Sequence, residues 1–182
     1  MSIPYANRGM GLEQMLEFTN ESYLRRGMAV VYKRATPVRI LKVHGSKVEG
    51  FLEKTSTVDY DGVYNGRSLQ FEAKSTREVS KFPLDNFHEH QIEHMRSCLN
   101  QGAIVFVIVE FVKYDERLFV PARFVIHVWD EWEKGGSASI LRSQLIEKAQ
   151  RIPQSRGVPV DYLAIVDKWV FKRGSPKLGV AK

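Results

Sequence analysis

Asp59 is followed thirteen positions later by Glu72-Ala73-Lys74, two carboxylates and an ammonium that could share one task. Carboxylate oxygens are the ligands magnesium prefers, with water and substrate phosphate filling the rest of its shell. A lysine beside such a metal can orient a nucleophilic water or stabilise charge developing on phosphorus. The chemistry is metal-dependent phosphodiester hydrolysis, and it needs all three side chains on one surface. Spacing alone does not guarantee that, because the same pattern describes the solvated face of an ordinary hairpin. The elements that carry the three residues decide the matter.

Residues 57–64 and 67–75 are two alternating runs separated by Asn65-Gly66, the strongest short-range hairpin signal. The two-residue strand period sends Leu69, Phe71 and Ala73 to one side and Gln70, Glu72 and Lys74 to the other. With Asp59 on the partner strand, cross-strand neighbours lie within about 5 Å, so one cation could bridge Asp59 and Glu72. Upstream, Leu12, Met15, Leu16, Thr19 and Tyr23 repeat at helical spacing before Gly27, predicting a helix over 11–26. Residues 29–34 and 38–44 read as strands flanking the Thr36-Pro37 turn. The polar stretch 45–57 reads either as a hairpin projecting from the core or as a long loop. Downstream, Pro83 opens a loop, and 88–99 reads as a helix with Ile92, Met95 and Leu99 on one face. Residues 104–112 are almost continuously apolar, as in a central strand covered on both sides. A short strand is expected at 118–121, and helices at 122–133, 139–150 and 161–171.

The chain of 182 residues is expected to form a single domain, and its 43% hydrophobic content excludes a disordered chain. Its net charge of +6 suits a polyanionic partner. The basic residues cluster at Arg25, Arg26, Lys33, Arg34, Arg39, Lys42 and Lys47, and again at Lys168, Lys172, Arg173, Lys177 and Lys182. A single cysteine, Cys98, excludes an intramolecular disulfide and a multi-thiolate zinc site; it reads as a buried, inert thiol. Neither a signal-peptide core nor a membrane-length apolar run is evident. The expected location is the cytoplasm, of a bacterium or of the host cell if the gene belongs to a phage.

Several stretches together resemble one family. They are Tyr5-Ala-Asn-Arg-Gly-Met10, Thr36-Pro-Val38, Ser56-Thr-Val-Asp-Tyr60, Phe71-Glu-Ala-Lys74, Phe82-Pro-Leu84, Asn86-Phe-His88 and His90-Gln-Ile-Glu-His94. In this order and spacing, across about two-thirds of the chain, they resemble the RecU-type Holliday junction resolvases of the PD-(D/E)xK nuclease superfamily. The resemblance implies an α/β fold: a central mixed sheet flanked by helices, a restriction-endonuclease-like core, and a stalk at about 43–57 projecting into a four-way junction. The stalk segment is shorter and differently composed than the family pattern. The resemblance implies Asp59 and Glu72 as magnesium ligands, with Thr57 and Gln91 completing the site, manganese as a substitute, and Lys74 as the catalytic lysine.

Glu13 occupies a place where related nucleases often contribute another acid; it reads equally as a first-turn acid favoured by the helix dipole. Arg8, Lys33, Arg34, Lys42, Lys47 and Lys54 are candidate DNA contacts. His90 and His94 have the i, i+4 spacing of metal ligands, but no second motif supplies further ligands. Phosphate contact, for His88 above all, or packing around Gln91 is the preferred role of these histidines. Trp129 and Trp132 read as core or dimer-interface residues. The expected assembly is a homodimer, whose symmetry suits a junction with approximate two-fold symmetry, with a recombinase or branch-migration protein as a further partner. The rival readings are a same-fold nuclease acting on other branched or duplex DNA, and a DNA-binding accessory protein without catalysis.

Overall fold

The computed structural model describes residues 11–35, 37–52 and 57–171. Helix α1 (Leu12–Arg25) is followed by strand β1 (Val30–Lys33), the hairpin of β2 (Val38–His44) and β3 (Lys47–Leu52), and the hairpin of β4 (Tyr60–Tyr64) and β5 (Arg67–Thr76). Strand β6 (Lys81–Pro83) leads to helix α2 (Glu89–Asn100), strands β7 (Ile104–Phe111) and β8 (Glu116–Pro121), and helix α3 (Ala122–Glu133). Strand β9 (Ser139–Leu141), helix α4 (Arg142–Lys148), strand β10 (Gln150–Arg151) and helix α5 (Leu163–Val166) follow. Helix α5 continues as a π-helical turn over Asp167–Phe171.

The main sheet has the order β1-β4-β5-β7-β8-β10. Strands β5 and β7 pair in parallel and the other neighbours antiparallel, so the sheet is mixed, as expected. Both faces are covered. Strand β7 sends Ile104, Phe106 and Ile108 into a core shared with α1 and α5. Its alternate residues Val105, Val107 and Val109 enter a second core with α2, α3 and α4. A strand dry on both sides has no position for a polar alternation, which explains its apolar run. Trp129 belongs to the second core, with Trp132 packed edge-on at 4.9 Å.

Asn65 and Gly66 adopt φ of 47° and 72°, the left-handed pair of a type I′ turn whose twist matches the strands it joins. Gly62 serves a different need. A Cβ there would meet the Val30 carbonyl oxygen at 2.0 Å and Val31 Cα at 2.7 Å, so β1 lies against a bare backbone.

Three expectations need correction. Residues 139–150 are not one helix: Ile140 is buried and pairs with Phe82 across β6 and β9, and helical structure starts only at Arg142. Tertiary strand pairing overrides local helix propensity there. Pro83 accordingly ends a strand rather than opening a loop. The hairpin in the expected stalk region starts at Val38 rather than near 43: β2 and β3 pair only with each other among the described residues, and every residue of β2 is exposed. The segment 53–56 lies outside the described residues.

Candidate active site

Strand β5 fixes two of the three side chains. Leu69 and Phe71 are buried on the α1 side, while Glu72 and Lys74 face α2. Asp59 precedes β4, and the register pairing Tyr60 with Phe71 brings it opposite Glu72. The Ala73 amide donates to Asp59 Oδ2 at 3.0 Å, which pins that carboxylate to the backbone of β5. Lys74 Nζ stands 2.8 Å from Glu72 Oε2 and 3.9 Å from Asp59 Oδ2. The three residues thus form one cluster.

Helix α2 supplies the cover. Its first turn carries Gln91, whose Nε2 donates to Glu72 Oε2 at 3.0 Å and whose Oε1 accepts the His88 backbone amide at 3.1 Å. One amide therefore caps the helix and orients the acid.

Glu72 is the unusual member. It is completely buried, and among the described residues its Oε1 meets no hydrogen-bond donor. Burial pushes its carboxyl up to about 8, with the Asp59 charge adding to the rise and Lys74 opposing it. An anionic oxygen left without a partner is expensive in a protein interior. A hard divalent cation between the two carboxylates would supply the partner and favour the ionised form. Magnesium sites use one or two carboxylates and keep several waters, so this donor set fits one.

Asp59 and Lys74 line an open cleft of about 430 Å³, together with Glu13, Lys33 and Tyr60. Glu13 and Lys33 form an exposed ion pair at its lip, which draws the Lys33 ammonium above its usual range. Both residues therefore share the cleft with the cluster.

The remaining candidates lie around this cluster or beyond it. The Arg34 guanidinium donates to the Thr57 hydroxyl and, at 3.1 Å, to Asp61 Oδ2, so both Arg34 and the Thr57 oxygen are engaged within the protein. His88 and His90 stack at 5.5 Å, and His94 contacts Gln70 Oε1 at 2.6 Å. These rings make packing and hydrogen-bond contacts around Gln91's helix. Cys98 is half-buried, with Sγ 3.3 Å from Gln70 Oε1, and burial pushes its thiol up. Lys42 and Lys47 are exposed on the β2–β3 hairpin, Lys42 opposite Glu49. Arg8 and Lys54 lie outside the described residues.

Sequence reasoning missed Glu110. It is buried, accepts from Ser75 Oγ at 2.7 Å and from Arg117 Nε at 3.1 Å, and lines a second cleft that shares Gly11, Leu12 and Ser75 with the first. A lone acid inside the apolar run of β7 was the available signal.

A family model described as "RecU: Recombination protein U" matches residues 7–168. The Holliday junction resolvase RecU of Geobacillus thermodenitrificans is 42% identical over 177 residues, covering 94% of this chain and 88% of that protein. The Bacillus subtilis protein of the same name is 40% identical over 181 residues, covering 96% and 87%. A solved Holliday junction resolvase, Hjc of Archaeoglobus fulgidus, is similar with a TM-score of 0.40 and 13% identity, covering 75% of this chain and 94% of that one. With a model match spanning most of its length and relatives at this identity, the chain belongs to the RecU family.

Proposed function

We propose that this protein is a magnesium-dependent endonuclease that resolves four-way DNA junctions. The observation that carries the reading is the buried Glu72, one oxygen unpartnered, facing Asp59 and Lys74 beside an open cleft. Family membership supplies the substrate class, since the relatives are named as Holliday junction resolvases.

Asp59 and Glu72 would hold the metal, which when bound supplies Lewis acidity and lowers the pKa of a bound water; manganese would substitute. Lys74 keeps an ammonium 2.8 Å from Glu72 Oε2, where it would stabilise charge on the phosphoryl oxygens. Gln91 prevents Glu72 from rotating away, by holding it to the α2 N-terminus. Lys33 at the cleft lip would neutralise a flanking phosphate. Lys42 and Lys47 would meet junction arms, and the exposed β2–β3 hairpin would enter the junction centre as the stalk. The protein would act as a homodimer in the cytoplasm, its two sites cutting strands of like polarity, alongside a recombinase or branch-migration partner.

The test is incubation with synthetic four-way junctions, linear duplex and flap DNA, with and without magnesium. Paired nicks in the junction alone, dependent on the metal, are expected. Equal cleavage of plain duplex would remove junction selectivity, and undiminished cutting by Asp59→Ala would overturn the site.

A further inference from the structure

Arg34 stands directly across the sheet from Asp59. The β1–β4 register pairs Lys33 with Tyr60, and it continues one step further, because the Arg34 amide donates to the Asp59 carbonyl at 2.8 Å. Thr57 and Asp61 both face the Arg34 side chain. The Arg34 guanidinium spans the two. One arm donates to the Thr57 hydroxyl and the other, at 3.1 Å, to Asp61 Oδ2. A single residue thus grips the positions two before and two after Asp59 with its side chain, and Asp59 itself with its main chain.

The charge has two uses here, and the two bonds take two of the five guanidinium donors. A phosphate contact would use the donors that remain. A brace needs a planar fork fixed at both ends, which a guanidinium provides and a lysine ammonium does not. Both partners bound by the fork are part of this chain. Asp59 lies outside β4 proper, in a segment 57–59 without regular structure, so the β4–β5 ladder does not itself fix its backbone. The Arg34 amide bond to the Asp59 carbonyl and the buried Val58 hold it instead, and the Arg34 fork ties residues 57 and 61 on either side.

We infer that Arg34 is a positioning residue that braces the backbone of residues 57–61 and so presents the Asp59 carboxylate to the Ala73 amide that pins it. The inference deepens the metal-dependent nuclease reading and rests on it. Residues that orient metal ligands from behind typically alter metal affinity by about 10–100-fold when removed.

The experiment compares the full-length wild type with Arg34→Ala, Arg34→Lys, Asp61→Asn and Thr57→Val. Magnesium affinity is read by calorimetry, junction affinity by gel shift in EDTA, and amide exchange by mass spectrometry over 58–60. Arg34→Ala is expected to weaken magnesium binding about tenfold or more, to speed exchange at 58–60, and to leave junction affinity in EDTA within about twofold. Arg34→Lys is expected to recover part of the loss, since one ammonium can serve one of the two partners. Junction affinity falling while metal affinity stays unchanged would make Arg34 a phosphate contact and overturn the inference. If Arg34→Ala does not fold, Asp61→Asn and Thr57→Val carry the same comparison, and unchanged metal affinity in both overturns it. A wild type that binds no magnesium or cuts no junction would refute the proposed function instead. In that case exchange at 58–60 judges the brace alone: faster in Arg34→Ala supports it, and unchanged removes it.

Discussion

Glu72→Gln should abolish cleavage and yet change the pH dependence of stability in the protein's favour. The Glu72 carboxyl is fully buried and pushed from its usual 4.5 up to about 8. The folded state therefore holds this proton more tightly than the unfolded chain does. Between those two values the unfolded chain has released the proton and the folded state has not, so raising the pH favours unfolding. The stabilisation from the protonated carboxyl is complete below 4.5 and is lost as pH rises towards 8. Each unit of pH inside the window costs about 1.4 kcal/mol, which amounts to about 3 kcal/mol between pH 5 and 7.5 once the rounded ends are included. Glutamine has nearly the same shape and no titration. Its absolute stability includes a buried amide nitrogen lacking an acceptor, a separate cost of about 1–3 kcal/mol that does not vary with pH. The informative quantity is consequently the difference between wild type and Glu72→Gln as a function of pH. Urea unfolding followed by circular dichroism in EDTA, from pH 5 to 7.5, should show that difference shifting by about 3 kcal/mol towards the variant. Saturating magnesium should flatten the wild-type curve, since a cation replaces the proton. A difference that stays constant with pH in EDTA would refute the reasoning, because it would mean that the carboxyl is hydrated in solution.

Gln91→Ala removes the donor to Glu72 and the acceptor for the His88 amide together; a stability loss of about 1–3 kcal/mol should accompany slower cleavage, and cleavage unchanged per folded molecule would argue that Glu72 needs no second hold. Gly62→Ala places a methyl against the Val30 carbonyl and should cost about 3 kcal/mol by displacing β1, measured by urea unfolding; a loss below about 0.5 kcal/mol would show that the edge strand sits further away. Lys42→Glu with Lys47→Glu reverses two exposed charges on the β2–β3 hairpin and should weaken junction binding at low salt while leaving the unfolding midpoint within a few degrees. A salt dependence equal to that of the wild type would place the phosphate contacts elsewhere.

The sequence made some parts of this molecule legible and concealed others, for physical reasons. Asn65-Gly66 announced its turn because only residues tolerant of positive φ fit there, and the alternation of β5 then fixed which side chains could meet. The helix over Ala122–Glu133 was legible because a buried stripe imposes a 3.6-residue period. The break at Leu141 was not, since β9 exists through its pairing with β6, more than fifty positions upstream. Among the candidate site residues, Asp59, Glu72 and Lys74 could be placed on one face from the Asn65-Gly66 hairpin and the strand period together. Arg34 could not, because a basic residue at a strand end looks the same whether it faces phosphate or grips its own chain. Gln91 was named through the family resemblance. Its attachment to both Glu72 and the helix N-terminus is a three-dimensional fact that its i−3 relation to His88 only half reveals.

The cost of burying Glu72 also explains what lies behind it. On the opposite face of the same strands, Tyr60 stacks on Phe71 at 4.7 Å, Phe71 on Phe106 at 4.9 Å, and Phe106 on Phe119 at 4.3 Å. This aromatic row crosses β4, β5, β7 and β8. Tyr60 adjoins Asp59 in sequence and Phe71 adjoins Glu72, so the row fixes the register of the two strands that bring the carboxylates together. A slip by one residue would exchange Phe71 with Glu72, moving the ring to the α2 side and driving the acid into the aromatic core. Each ring in the row contributes about 1.5–3 kcal/mol by burial, and the stacked pairs add about 0.5–1.5 kcal/mol apiece. That sum exceeds the roughly 3 kcal/mol that the fold loses near neutral pH by keeping Glu72 protonated where the unfolded chain ionises it. The fold can hold a buried acid where a metal would use it because the neighbouring position in each strand opposes any slip that exchanges the two faces.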